Sequence, residues 1–393
     1  MTFATCPHGA HVILTGGKPA QQKHRQTAKA PDVREPSPLD GISRPAEFST
    51  QVRQSAVPSV ESELAQRRKT REEARRLFIS NWDDAQIDRI EALFASYRDQ
   101  KERTASGIWK LTNAYSFLES LYNDWTAAND WQRRVGDSLR PWIARHPKSP
   151  APHIFRASVG FHRAQAMLND ALARKTYAGG AAALLREMTE ARLELEANKA
   201  VASADPFYYK LIVNSMRMEG RPLDDILSVA MEGIERHPEY CDTYFEAVHT
   251  IGQLSKRPFD DLAALANTAV AKSPPTLGDE MYARIYWVAL TSIVEPSQWN
   301  SIKLDWPKMA KSMETVLSRY PDQWNIQNFA VFSCVMQDHK LTQSLLDRVR
   351  GVPLAAVWGQ GEFFEGCRQF ADASNATGQD ENADTRKTGV VQH

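Results

Sequence analysis

The sequence predicts an all-α fold: a right-handed α-solenoid of stacked helical hairpins, with an irregular helical cap at its amino end. Three observations carry this reading. A unit recurs, made of an amphipathic helix, a short basic or polar end, a proline, and a second helix that often opens on aromatics. It reads WIARHPKSPAPHIF from Trp142, GIERHPEYCDTYF from Gly233, AVAKSPPTLGDEMY from Ala269 and VLSRYPDQWNIQNF from Val316, with a looser copy, AVASADPFYYKL, from Ala200. One hairpin cannot bury its apolar face alone, so copies in series imply stacking on neighbours. Positions 12, 8 and 5 before the proline are also packable: Val135, Leu139 and Trp142 before Pro147; Ile226, Ala230 and Gly233 before Pro238; Leu262, Ala266 and Ala269 before Pro274; Met309, Met313 and Val316 before Pro321. Those offsets share one helix face. Finally, no stretch alternates with the period of 2 that a strand requires.

Residues 1–58 are rich in Pro, Gly, Ser, Thr, Gln and Lys and lack apolar periodicity. Such a composition cannot offset chain entropy by burial, so disorder is expected. The segment reads as a leader without a structural role, or as a bacterial export or docking tail. From residue 59 to 146 an amino-terminal helical segment is expected. Its first helix carries Arg67, Arg68, Lys69, Arg71, Arg75 and Arg76, but Glu72 and Glu73 dilute that charge, which reads as a solvated face. Ile87, Ile90, Leu93, Phe94 and Tyr97 form the stripe of a second helix. After a break at Gly107, Trp109, Leu111, Tyr115, Leu118 and Tyr122 form a third, and Trp131 to Trp142 a fourth.

The repeat region is expected over 147–372, with helices at 151–173, 181–203, 206–219, 223–236, 241–254, 259–271, 278–293, 306–319, 323–337, 340–349 and 359–372. Counting back from Pro206 gives Glu194, Asn198 and Val201, so the array is degenerate there. The tail over 373–393 loses periodicity and is expected to be disordered.

These copies resemble the tetratricopeptide-like (TPR-like) helical repeats, whose second helix carries small and aromatic residues at such offsets from a closing proline. Tyr244 stands at the family's aromatic position six residues after Pro238, whereas Ala247 and Val248 replace its Leu-Gly pair. The stretch from Glu102 to Lys256 also looks like an uncharacterised bacterial family of that type, with no assigned activity.

The resemblance implies a concave face built from the first helix of each hairpin, at positions four, seven and eleven after each proline. Applied here it picks Lys210 and Arg217, then Asp242, Phe245 and His249, then Tyr282 and Tyr286, then Asn325 and Asn328. A face of mixed charge with aromatics suits a peptide or protein partner. The leading expectation is a noncatalytic interaction scaffold; a secreted bacterial effector with an export tail, and an enzyme with a pocket between helices, are the alternatives.

Composition narrows the partners. Lys plus Arg number 48 and Asp plus Glu 48, so no global field draws the chain to nucleic acid or to a membrane surface. No run approaches the roughly 20 apolar residues of a membrane helix. Cys6, Cys241, Cys334 and Cys367 lie far apart without a CxxC pair, which points to a reducing compartment and a cytoplasmic protein. No catalytic, cofactor-binding or metal-binding residue is assigned. His146 and His237 read as helix ends favoured by the dipole, and His153 and His162 stand on opposed faces of one helix. Gly179 and Gly180 read as an inter-helix loop. Trp109, Trp142 and Trp287 are assigned to the core.

Overall fold

The computed structural model describes residues 62–79, 82–118, 139–174, 177–275, 277–294, 296–359 and 361–384. The expectations for 1–58, and for a helix through Tyr122, Trp131 and Val135, lie outside them. The chain divides into two units, the first running to Phe329 and the second from Ala330. Each is all-helical, and no strand is present among the described residues.

In the first unit the helices are α1 (Glu63–Ile79), α2 (Asp84–Asp99), α3 (Lys110–Tyr115), α4 (Ala151–Arg174), α5 (Tyr177–Ala197), α6 (Lys199–Ala202), α7 (Phe207–Met218), α8 (Leu223–Arg236), α9 (Cys241–Leu254), α10 (Pro258–Lys272), α11 (Glu280–Ser292) and α12 (Trp306–Arg319). Helix α13 (Gln323–Val335) begins in the first unit and ends in the second. Local chemistry explains many of the boundaries. Asp305 caps α12 by accepting from the Lys308 amide at 3.0 Å, and Pro307 sits in its first turn. Helices α8 and α10 open on paired aspartates and close on Arg236 and Lys272, each charge opposing the helix dipole.

Packing follows a regular order. Helix α7 packs on α8 and α9, α8 on α9, α9 on α10 and α11, α10 on α11, and α11 on α12. The helices that follow prolines, α7, α9 and α11, therefore touch one another as well as their hairpin partners. The residues counted back from the prolines supply this contact. Of the twelve, the eleven described are all buried, from Leu139 and Trp142 to Met309, Met313 and Val316. Before Pro206, by contrast, Glu194, Asn198 and Val201 are only half-buried.

Several expectations need correcting. Gly179 and Gly180 lie inside the first turn of α5, where glycine is tolerated because the amides there have no intrahelical partner anyway. Helix α3 starts at Lys110, so Trp109 precedes it as its N-cap and does not lie within it. Trp287 is only half-buried, while Trp299 and Trp358 are buried.

The second unit contains the end of α13, then α14 (His339–Leu346), α15 (Ala355–Trp358) and α16 (Glu362–Asp384). Asp338 caps α14, accepting from the Leu341 amide at 2.9 Å. Helix α16 continues past the expected end at 372, because a lost apolar stripe removes the reason to bury a segment, not its backbone hydrogen bonds. Cys334 and Cys367 form a disulfide with S–S 2.07 Å. This differs from the expectation of unpaired cysteines, because spacing along the chain hides a pair that α13 and α16 bring together.

Gly233 shows how tight the hairpin contact is. A Cβ there would lie 2.5 Å from the Tyr209 ring. Gly233→Ala is expected to lower unfolding free energy by about 1–3 kcal/mol through overpacking, measured by urea denaturation. Gly220→Ala, where nothing lies within 4 Å, would show only the cost of its positive φ.

Candidate interaction face

The starts of the post-proline helices are already occupied by the chain itself. Residues 102–110 form a tight hairpin: the Lys110 amide donates to the Glu102 carbonyl at 2.7 Å, and the Thr104 amide to the Ile108 carbonyl at 2.8 Å. Its tip, Ala105-Ser106-Gly107, wedges between α1 and the starts of α11 and α13. The Ser106 amide donates to Glu63 at 2.7 Å and the Ala105 amide to Gln66 at 2.8 Å. From the other side the Ser106 carbonyl accepts from Arg284 at 3.0 Å and from Asn325 at 3.2 Å. Gly107 has φ +91°, and a Cβ on it would stand 2.5 Å from the Arg284 guanidinium and 2.7 Å from the Tyr320 ring. Only glycine meets both the conformational and the steric demand.

Beyond the tip the same segment crosses two more repeats. Lys101 and Arg103 reach Glu239 at 2.9 and 3.0 Å, and Trp109 packs edge-on against Tyr240. Thr112 donates to Asp242 at 2.6 Å. The Tyr115 hydroxyl donates to Asp205 at 2.8 Å, and its ring stacks on Phe207. One short segment thus engages the starts of α13, α11, α9 and α7 in turn, counter to the order of the repeats.

This arrangement decides the placement of the nine residues assigned to the face. Asp242 and Asn325 do face it, but both are buried under the wedge. Arg217 is 2% exposed and donates to Glu246 at 3.1 Å and to Gln253 at 3.0 Å, so it braces α7 against α9. Tyr282 and Tyr286 are buried on another side of α11, where the Asp305 amide donates to the Tyr282 hydroxyl and Tyr286 donates to the Lys303 carbonyl. Their assignment fails because residues 303–305 and Lys308 of this chain cover both rings. Lys210, Phe245, His249 and Asn328 retain partial exposure. Lys210 lies 3.6 Å from Asp242 and over the Phe207 ring. Asn328 donates to the Trp324 carbonyl within its own helix.

The face also includes residues that counting from prolines misses. Arg284 and Trp287, one turn apart on α11, occupy the phase assigned to Tyr282 and Tyr286. The half-buried Trp287 and Trp324 rings stack with centroids 6.4 Å apart, and the Arg67 guanidinium lies over Trp324.

Two buried carboxylates set the electrostatics. Burial pushes Asp205 up to about 6 despite hydrogen bonds from Tyr115 and the Phe207 amide. Glu246 is held down at about 2, because Arg217, His249 and Lys210 together outweigh its desolvation. Burial also pushes the Cys241 thiol up to about 11, so it is an inert core group. His237 is lowered by burial and donates to the Ser203 carbonyl, so a protonated helix end does not describe it. His146 instead pairs with Asp88 at 2.8 Å. Among the described residues no group of His, Cys, Asp and Glu is placed to hold a metal ion, and no helix is long and apolar enough to cross a membrane. No family model, curated protein or solved structure matches the chain.

Gly107→Ala is expected to destabilise the first unit by about 2–4 kcal/mol, since strain and clash fall on a fully buried contact, with the loss read from thermal or urea unfolding. The carboxylates make opposite contributions to pH dependence. Asp205 is raised above its unfolded value of 3.8, so its contribution is greatest below that value and is lost as pH rises through about 6. Glu246 is lowered from 4.5, so its contribution is present above 4.5 and is lost as pH falls towards about 2. Asp205→Asn should therefore gain stability relative to the parent between pH 4 and pH 7, whereas Glu246→Gln should lose most at neutral pH, where it strands the Arg217 charge. Unfolding free energies across that pH range check both.

Proposed function

We propose that this protein is a noncatalytic interaction scaffold, a right-handed solenoid of tetratricopeptide-like hairpins that binds an extended peptide or a protein segment on its concave face. One observation supports this above the rest: the post-proline helices already hold another stretch of this chain, the 102–110 hairpin and the start of α3, by contacts to its main chain at Ser106 and to its side chain at Thr112. The partner surface is the strip beside that segment on the same helices. Lys210, Phe245, His249, Trp287 and Asn328 are its part-exposed members. Aromatic rings supply the anchoring area, and Lys210 and His249 select for charge.

A second reading, an exported protein, gains support from the Cys334–Cys367 disulfide, since such bonds persist mainly in oxidising compartments. Thiol alkylation before lysis, followed by mass spectrometry, reads the state of this pair in the source cell.

The scaffold reading is tested by capture with the full chain, quantified against Phe245→Ala and Lys210→Glu variants whose helicity is intact. A partner whose affinity falls about tenfold or more with either variant is the expected result. Partners bound equally by all three proteins would place the binding surface elsewhere.

A further inference from the structure

We infer that α15 and α16 form a redox-released arm, clasped to α13 by the Cys334–Cys367 disulfide and hinged at Gly351. The observations lie entirely in the second unit. The arm is one piece at its start, because the buried Trp358 of α15 packs on Phe363 and Phe364 of α16, with ring centroids 5.8 and 5.0 Å apart. Its joint to α14 is open. Gly351 has φ +73°, a Cβ on it would meet nothing within 4 Å, and the adjacent Val352 is 82% exposed. Rotation at such a joint meets no steric bar at position 351 itself.

Helix α16 packs directly on α14 and is tied to α13 by the disulfide. The Phe370 ring stacks on His339 at 3.7 Å, His339 donates through Nδ1 to the Phe370 carbonyl, and Cys367 and Ala371 are buried. Beside this contact a cleft of about 320 Å³ separates α14 from α16, with Gln343, Asp347, Phe364 and Arg368 among its walls. The disulfide, which closes a separation of 33 residues, adds a covalent tie to this packing.

The chemistry requires a dithiol reductant. Cys334 is the part-exposed partner and Cys367 is buried. A reductant thiolate attacks the Cys334 sulfur, the S–S bond breaks, and Cys367 departs as a thiolate that takes up a proton. The reductant's second thiol then attacks the mixed disulfide, freeing Cys334 as a thiol. Two electrons and two protons pass to the protein, and the dithiol becomes a disulfide. With the clasp open, the arm swings at Gly351 and uncovers the side of α14 that carries His339 and Leu345.

Hydrogen exchange on the full chain, oxidised and after treatment with dithiothreitol under native conditions, tests this. The expected result is exchange about tenfold faster or more over 355–373, with 339–346 and 207–319 unchanged and protection restored by oxidised glutathione. Cys334→Ser should reproduce the reduced pattern without reductant. Unchanged exchange over 355–373, loss of α14 together with the arm, or a bond that native-state dithiothreitol does not reduce would each overturn the proposal.

Discussion

The first unit depends on the peptide group of Ser106. Its carbonyl accepts from Arg284 and Asn325 while its amide donates to Glu63, and all four residues are buried. Buried charges are tolerated only when paired and hydrogen-bonded, because stripping their water is otherwise prohibitive. Arg284 answers that demand through Glu280 and the Ser106 carbonyl, and Glu280 is further paired with Arg319. The hairpin tip is thus a polar plug shared by α1, α11 and α13, which is why it tolerates no side chain at Gly107.

The same logic separates the stable part of the face from the part that remains open. Arg217, Glu246, Asp242 and Asn325 are spent on bracing one helix against the next or on holding the hairpin. Removing any of them would strand a buried partner, so their loss would register first as instability. Phe245 and Asn328 keep accessible surface, and Trp287 and Trp324 stack over one another at its border. Braced and accessible side chains therefore occupy neighbouring stretches of the same helices.

Much of the fold was legible because it rests on local rules. Proline ends a helix whatever surrounds it, and apolar spacing marks the buried face, so α8, α9 and α12 have the expected boundaries. The residues at offsets 12, 8 and 5 were legible for the same reason. The candidate face was legible only in part. A proline marks where one helix stops but not what will pack on the next, and the assigned tyrosines of α11 are covered by residues 303–308 of the same chain. The hairpin at 102–110 gave no signal beyond one glycine, since its conformation is dictated by groups far along the chain.

By itself, then, the amino-acid sequence determined the helical class, the positions of most helices and the face by which each hairpin buries itself, all of which follow from propensity and periodicity within a window of a few turns. Tertiary structure alone decided that Ser106 would meet Arg284 and Asn325, that Cys334 would pair with Cys367, and which side chains of the repeat face would stay open. Those outcomes depend on contacts between residues tens to hundreds of positions apart, where no local pattern carries the information.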